Sequence, residues 1–189
     1  ARQDSLDFFE FGTENGKIML GGNNGVSIAS ALGHYLREYC GYHLSWCGSD
    51  TVLPETLPLP EKITTKTSPY KWRYYLNYCT FNYSMSWWDF DRWQKEIDWM
   101  ALNGINMPLA LTGQNSIWRR VYHKLGLTDE DLKSFFSGPA YFNWFWMGNL
   151  DGWQGPLPLS FMEKHEELQK QILYRERSLG MTPILPSFT

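Results

Sequence analysis

The sequence predicts an α/β protein: a small N-terminal α/β domain followed by the first part, about three strands, of a (β/α)8 TIM-type barrel. Three observations predict it. The run from Trp72 to Leu111 reads as strand, helix and strand with a tight helix-to-strand turn, the mark of a βαβ unit with parallel strands. A helical pattern from Ser160 to Leu179 leads into one more apolar run, Thr182 to Phe188. Ahead of both lies a different arrangement of strand, turn, strand and helix, set apart by a Pro-rich stretch.

The elements follow in order. Ser5 to Phe11 alternates loosely enough for a strand and Lys17 to Leu20 for a second, with Asn15-Gly16 supplying turn residues between them. Asn23-Asn24-Gly25 precedes a helix whose expected apolar face is Ile28, Leu32, Tyr35, Leu36 and Tyr39 and which ends at Gly41. Tyr42 to Trp46 is a third strand candidate. Thr51 to Tyr70 holds four prolines and reads as an extended crossing with at most a short strand. Residues 1–70 thus form an accessory domain with its connector, and residues 71–189 begin the barrel.

In the second part, Arg73 to Cys79 is a strand by β-propensity and Thr80 to Ser86 the loop after it. Trp87 to Leu102 reads as a helix, with Asp89 in its first turn and Trp93, Ile97, Met100 and Ala101 at helical spacing, stopping at Asn103-Gly104. Ile105 to Leu111 is the second strand; helices follow at Gln114 to Leu125, Asp129 to Phe136 and Ser160 to Leu179. Thr182 to Phe188 is the third strand. A complete barrel takes eight strands and roughly 250 residues. An open three-stranded parallel sheet would expose an edge and an apolar face, so the expectation is an N-terminal portion of a longer protein.

Composition excludes several functions. The chain has 189 residues, 43% hydrophobic and 17% aromatic, ample for a packed core. A net charge of −3 gives no basic footprint for nucleic acid, and no apolar run is long enough for a membrane span. No charged head and apolar run opens the chain, so any secretory signal is expected to have been removed or never present. Cys40, Cys47 and Cys79 are too few for a disulfide framework; Cys40 and Cys47 suit either a bridge across a helix-to-strand turn or two partly buried thiols. His34, His43, His123 and His165 show no metal-ligand spacing, and no phosphate-cradling loop is present, so neither metal nor cofactor is expected.

Barrel active sites lie at the C-terminal ends of strands, which puts Asn77, Cys79, Thr112, Gly113 and Gln114 on one candidate face. By strand alternation Asn77 and Cys79 should point toward the barrel axis and Tyr78 outward. On the residues alone, Asn77 also suits a satisfied interior polar group, Cys79 a small apolar filler and Gln114 a helix start. The stretch from Gly138 to Pro158 is long enough to be a binding loop; it carries Trp144, Trp146, Met147 and Trp153, which suit ligand binding or stapling of the loop to the barrel. The carboxylates fit structural roles: Asp89 as a cap, Glu96 and Asp98 within a helix, Asp129 to Asp131 at a helix start, and Glu163, Glu166 and Glu167 on a helix face.

These residues carry a resemblance. Tyr74 to Thr80, Trp87-Trp88-Asp89, Glu96 to Asn106, Met147 to Leu150 and Gly155-Pro156-Leu157-Pro158 resemble glycoside hydrolase family 89, the α-N-acetylglucosaminidases. The likeness runs from about Val26 to the C-terminus and weakens in the first twenty or so residues and near Pro54 to Pro60. It implies removal of terminal α-linked N-acetyl-D-glucosamine from glycans or glycosaminoglycans by a retaining mechanism, outside the cytoplasm (periplasm, secreted or lysosome), without a cofactor; the alternative reading is a non-catalytic carbohydrate-binding or inactive relative, which two glutamates at later strand ends would exclude. It implies two catalytic glutamates on later strands, outside this chain, so that no catalytic residue is assigned here. It further implies that Asn77, Cys79, Trp144 and Met147 line the sugar pocket, with Gln114 near a hydroxyl. The family pattern has Glu after this Gln; here Asn115 stands instead, which removes a charge.

Overall fold

The computed structural model describes residues 6–46, 48–50, 52–148, 150 and 152–185. Cys47, and with it the Cys40–Cys47 question, lies outside the described residues, as does Thr182 to Phe188 beyond residue 185. The chain divides into two compact units: residues 1–74, 95–107 and 176–182, and residues 75–94, 108–175 and 183–189.

In the first unit, β1 (Phe8–Glu14) and β2 (Lys17–Gly22) form an antiparallel hairpin, and β5 (Thr64–Thr67) pairs antiparallel on the other side of β1. Asn15 and Gly16 turn the hairpin with φ of 52° and 72°, the left-handed conformations these two residues tolerate. The expected crossing segment thus contributes a sheet strand. Helix α1 (Gly25–Cys40) starts where the Asn24 side chain accepts from the Ser27 N–H at 2.9 Å and ends at Gly41 in the left-handed region. Phe11, Ala31 and Tyr35 form the core between sheet and helix, with Phe9, Ile18, Leu20, Leu36 and Tyr39 around them. The Tyr35 hydroxyl donates to the Pro58 carbonyl at 2.9 Å and ties the Pro-rich segment down. A short antiparallel pair, β3 (His43–Leu44) and β4 (Ser49–Asp50), replaces the longer strand expected at Tyr42 to Trp46.

The expected apolar face of α1 is corrected in part. Ile28 and Leu32 are among the exposed hydrophobics, whereas Val26, Ser27, Ser30, Ala31, Gly33 and Tyr35 are buried. Close approach to another backbone is the reason. Ser30 Oγ donates to the Val26 carbonyl at 2.8 Å and lies 3.3 Å from the Ala101 carbonyl, and a Cβ on Gly33 would sit 2.3 Å from the Leu102 carbonyl oxygen. Small residues therefore face the neighbour and larger ones do not.

The barrel strands are shorter than expected. β6 is Tyr74–Tyr75 and β7 is Met107–Pro108. The Met107 N–H donates to the Arg73 carbonyl and the Leu109 N–H to the Tyr75 carbonyl, so both partners advance together, as in a parallel ladder. Leu109 bridges Ile184 in parallel, with Ala110 N–H to Ile184 O and Ile184 N–H to Pro108 O both at 2.8 Å. Leu109, Ala110 and Leu111 are all buried, the pattern of a strand covered on both faces. Near the N-terminal ends of these strands, Asn106 accepts from the Arg73 N–H and donates to the Lys71 carbonyl, and Arg73 pairs with Asp7.

The helix α3 (Phe90–Leu102) begins later than expected, because Asp89 stands outside it and accepts from the Arg92 N–H at 2.9 Å. Trp93, Ile97, Met100 and Ala101 are all at most 2% exposed, which matches the spacing read from the sequence. Three more helices follow: α4 (Gln114–Lys124), α5 (Asp129–Leu132) and α6 (Leu159–Ser178). The α5 helix stops four residues short of Phe136. Thr128 and Asp131 form a capping box at its start, and it then gives way to turns. Among the described residues no helix is long and apolar enough to cross a membrane.

Candidate functional site

The chain leaves β6 abruptly. Leu76 takes φ 78°, a left-handed conformation rare for a branched side chain, and Asn77 then caps the short α2 helix (Tyr78–Thr80). The Asn77 Oδ1 accepts from both the N–H and the hydroxyl of Thr80 at 3.0 Å. The expectation that Asn77 and Cys79 share a strand face is therefore corrected: alternation ends at Tyr75, and both residues belong to a helical turn. A π-helical turn, Phe81–Met85, continues it, burying Phe81 and Met85 while Tyr83 stays 73% exposed. Phe81 meets Trp93, and Trp93 meets Trp88, so the turn rests on the start of α3.

The expected binding loop is folded rather than irregular. It contains two 3-10 turns, Pro139–Tyr141 and Trp144–Met147, the second closed by Gly148 in the left-handed region. Residues three apart eclipse on a 3-10 helix, so Trp144 and Met147 share one face. The Cys79 sulfur lies 3.9 Å from the Met147 sulfur, and Tyr83 packs edge-on against Trp144 at 5.6 Å. Three of the expected pocket residues, Cys79, Trp144 and Met147, thus converge, with Asn77 at the start of the same turn as Cys79. Asn77 is exposed and the other three are half-buried.

Trp146 goes the other way. It packs with Trp118 at 5.4 Å, Phe145 at 5.5 Å and Tyr78 at 6.5 Å, which makes it a staple. Trp153 is 51% exposed. Gln114 is the first residue of α4 and 7% exposed, consistent with a helix-start position. Its neighbour Asn115 is buried and donates to the Phe142 carbonyl at 3.1 Å, so the residue that removes a charge makes a backbone contact instead.

The carboxylates mostly have structural partners. Asp129 accepts from both Arg119 nitrogens at 2.7 Å and lies 2.8 Å from His123; the Arg119 hydrogen bonds hold its pKa down to about 2. Glu166 takes Arg120 at 2.6 Å and the Ser116 hydroxyl, which lower its pKa. Glu96 is buried and accepts from the Trp46 indole at 2.9 Å. Glu176 was not singled out by the sequence: it is 1% exposed, both oxygens lack a hydrogen-bond partner among the described residues, and burial pushes its pKa up to about 8. Nothing in its helical context distinguishes it from the exposed glutamates on α6. A separate cavity of about 730 Å³, lined by Trp87, Trp88, Phe161 and His165 among others, contains none of the expected pocket residues.

Comparison with known proteins shows the family. Residues 73–189 match the family model of the alpha-N-acetylglucosaminidase tim-barrel domain, and residues 1–59 match that of the alpha-N-acetylglucosaminidase N-terminal domain. Alpha-N-acetylglucosaminidase of Homo sapiens is 48% identical over 189 residues, which is all of this chain and 25% of the human protein. The family 89 glycoside hydrolase from Clostridium perfringens, solved in complex with 2-acetamido-1,2-dideoxynojirmycin, is 41% identical with a TM-score of 0.94 over 98% of this chain and 21% of its own. The same enzyme solved with its substrate GlcNAc-alpha-1,4-galactose also gives 0.94 and 41%. The class is that of a glycosidase TIM-barrel segment with its preceding N-terminal domain. More narrowly, the chain belongs to the alpha-N-acetylglucosaminidase family, glycoside hydrolase family 89. It spans about a quarter of the human relative's length and about a fifth of the bacterial enzyme's.

Proposed function

We propose that the protein carrying this chain removes terminal α-linked N-acetyl-D-glucosamine from glycans or glycosaminoglycans with retention of configuration, and that this chain supplies one wall of the sugar pocket. The observation that carries the reading is the convergence of Cys79, Trp144 and Met147, in a chain whose relatives at 48% and 41% identity are an alpha-N-acetylglucosaminidase and a family 89 glycoside hydrolase. A hexosamine offers hydroxyls around an apolar ring face. An aromatic such as Trp144 suits the ring, and the sulfur pair of Cys79 and Met147 suits an apolar wall. Asn77 spends its Oδ1 on the Thr80 cap, so its Nδ2 hydrogens are the group it offers to a sugar oxygen. Gln114, the first residue of α4, carries an amide of the type that binds a sugar hydroxyl.

Retention needs two carboxylates about 5 Å apart, one acid and base, one nucleophile. Both are glutamates supplied from outside this chain. The binding groups here orient the sugar so that its anomeric carbon meets them, which lowers the entropic part of the barrel's task. The site operates outside the cytoplasm, in a periplasm, secreted or in a lysosome.

The full-length protein is assayed with 4-nitrophenyl N-acetyl-α-D-glucosaminide, and the anomer first released is read by proton NMR. Turnover with the α-anomer released first is the expected result. An inverted product would remove the retaining mechanism, and hydrolysis of only the β-linked substrate would remove the substrate assignment. The isolated 189-residue chain should show no turnover at all, because positioning groups do not replace an acid and a nucleophile.

A further inference from the structure

Asn82 occupies a position that no expectation singled out. Its Nδ2 donates to the Ala140 carbonyl at 3.0 Å, and its Oδ1 accepts from the Asn143 N–H at 3.2 Å. One side-chain amide therefore holds the backbone at both ends of the 140–143 segment. Asn115 adds a third bond, from its Nδ2 to the Phe142 carbonyl at 3.1 Å. Asn143 is the residue immediately before the Trp144–Met147 turn, so the grip falls at the foot of the element that carries Trp144 and Met147. Tyr83, the residue after Asn82, packs edge-on against Trp144 from the same turn.

We propose that Asn82 is a positioning residue for sugar recognition, acting through the Trp144–Met147 turn. The proposal rests on the reading of Trp144 and Met147 as pocket wall. A 3-10 turn has weak internal hydrogen bonds and is short, so its orientation is set by the packing of Phe145 and Trp146 on Trp118 and by what holds its ends. At the C-terminal end Gly148 is in the left-handed region and puts no side chain against a neighbour; at the N-terminal end Asn82 and Asn115 hold the Ala140 and Phe142 carbonyls and the Asn143 N–H. Asn82 does this with both halves of its amide. Loss of the side chain leaves the Ala140 carbonyl and the Asn143 N–H without that partner and loosens the N-terminal end of the turn, where Trp144 sits, while Phe145 and Trp146 keep the rest packed on Trp118. Binding, rather than the chemical step, carries the consequence.

The experiment uses the full-length enzyme in four forms: unaltered, Asn82→Ala, Trp144→Ala and the double variant. Each is titrated calorimetrically with N-acetylglucosamine and assayed for KM and kcat on the nitrophenyl substrate. Asn82→Ala should weaken sugar binding by roughly tenfold and raise KM by a similar factor, with kcat within about twofold. The double variant should bind no more weakly than Trp144→Ala alone, because the two residues act in series. Asn82→Asp, which keeps the acceptor for Asn143 and loses the donor, should recover part of the binding. If Trp144→Ala weakens binding and Asn82→Ala does not, the positioning role is overturned while the pocket wall stands. Additive losses in the double variant overturn it as well, since Asn82 would then act elsewhere. If neither single variant changes binding, the pocket-wall reading itself fails and the proposal with it. Should Asn82→Ala fail to fold, Asn82→Asp must show the KM-only loss on its own, or the proposal falls.

Discussion

The sulfur atoms of Cys79 and Met147 lie 3.9 Å apart although 68 residues separate them in the chain. One belongs to the turn that leaves the first barrel strand, the other to the 3-10 turn in the loop after α5. Their contact is the point at which two segments read separately in the sequence become one surface.

A half-buried thiol on a pocket wall should be shielded when the pocket is filled. In the full-length enzyme, alkylation of Cys79 by iodoacetamide, followed by peptide mass spectrometry, should slow severalfold at saturating N-acetylglucosamine and not at the same concentration of galactose. Equal labelling with and without the sugar would place Cys79 away from it.

Trp144→Ala and Trp93→Ala should separate binding from folding. Trp144 is half-buried on a short turn, and loss of a stacking aromatic costs roughly 1–3 kcal/mol of binding, by analogy with stacking on nucleic acid bases. Trp93 is 1% exposed between Phe81 and Trp88, and its truncation should cost about 3–5 kcal/mol of stability. Steady-state kinetics and thermal unfolding on both variants make the comparison; similar melting losses for the two would put Trp144 in the core rather than in the pocket.

The parts of this architecture that depend on local rules were legible in the sequence. Trp93, Ile97, Met100 and Ala101 follow helical spacing and are buried; Asn15-Gly16 makes its turn; Asn24 and Gly41 cap α1 at its two ends. What was not legible depends on distant backbone. Ile28 and Leu32 satisfy the same spacing yet are exposed, because the close neighbour of α1 is a carbonyl that admits only small residues. Strand alternation failed at Leu76 because nothing in a Tyr-Leu-Asn sequence signals a left-handed leucine. Cys79 was a candidate by its place at a strand end, Trp144 and Met147 by the length of their loop, and the resemblance put the three together, while Asn82 becomes visible only when its partners at Ala140 and Asn143 are known.

Gly33→Ala tests the close approach directly. By intrinsic propensity alanine should favour the helix by about 1 kcal/mol, yet the added Cβ would meet the Leu102 carbonyl oxygen at 2.3 Å. The clash involves backbone and cannot be relieved by a rotamer, so the net effect should be destabilising by roughly 1–3 kcal/mol. A lowered melting temperature is expected; a raised one would mean that the helix moves aside at little cost.

Glu176 gives the stability a pH dependence of definite sign. Burial raises its pKa from the ordinary 4.5 to about 8, with Arg177 opposing the shift only in part. Because the folded state favours the neutral acid, ionisation favours unfolding: the group contributes no penalty below about pH 4.5, an increasing one as pH rises, and a constant one above about pH 8. Glu176→Gln keeps the shape and removes the ionisation. It should therefore raise the melting temperature at neutral pH, by an amount equivalent to roughly 1–3 kcal/mol, and the gap between variant and unaltered protein should widen from pH 5 to pH 8 and then level off. Melting curves of the full-length protein across that range test the sign. A gap that narrows with rising pH would show that the carboxylate is charged and partnered in the folded protein.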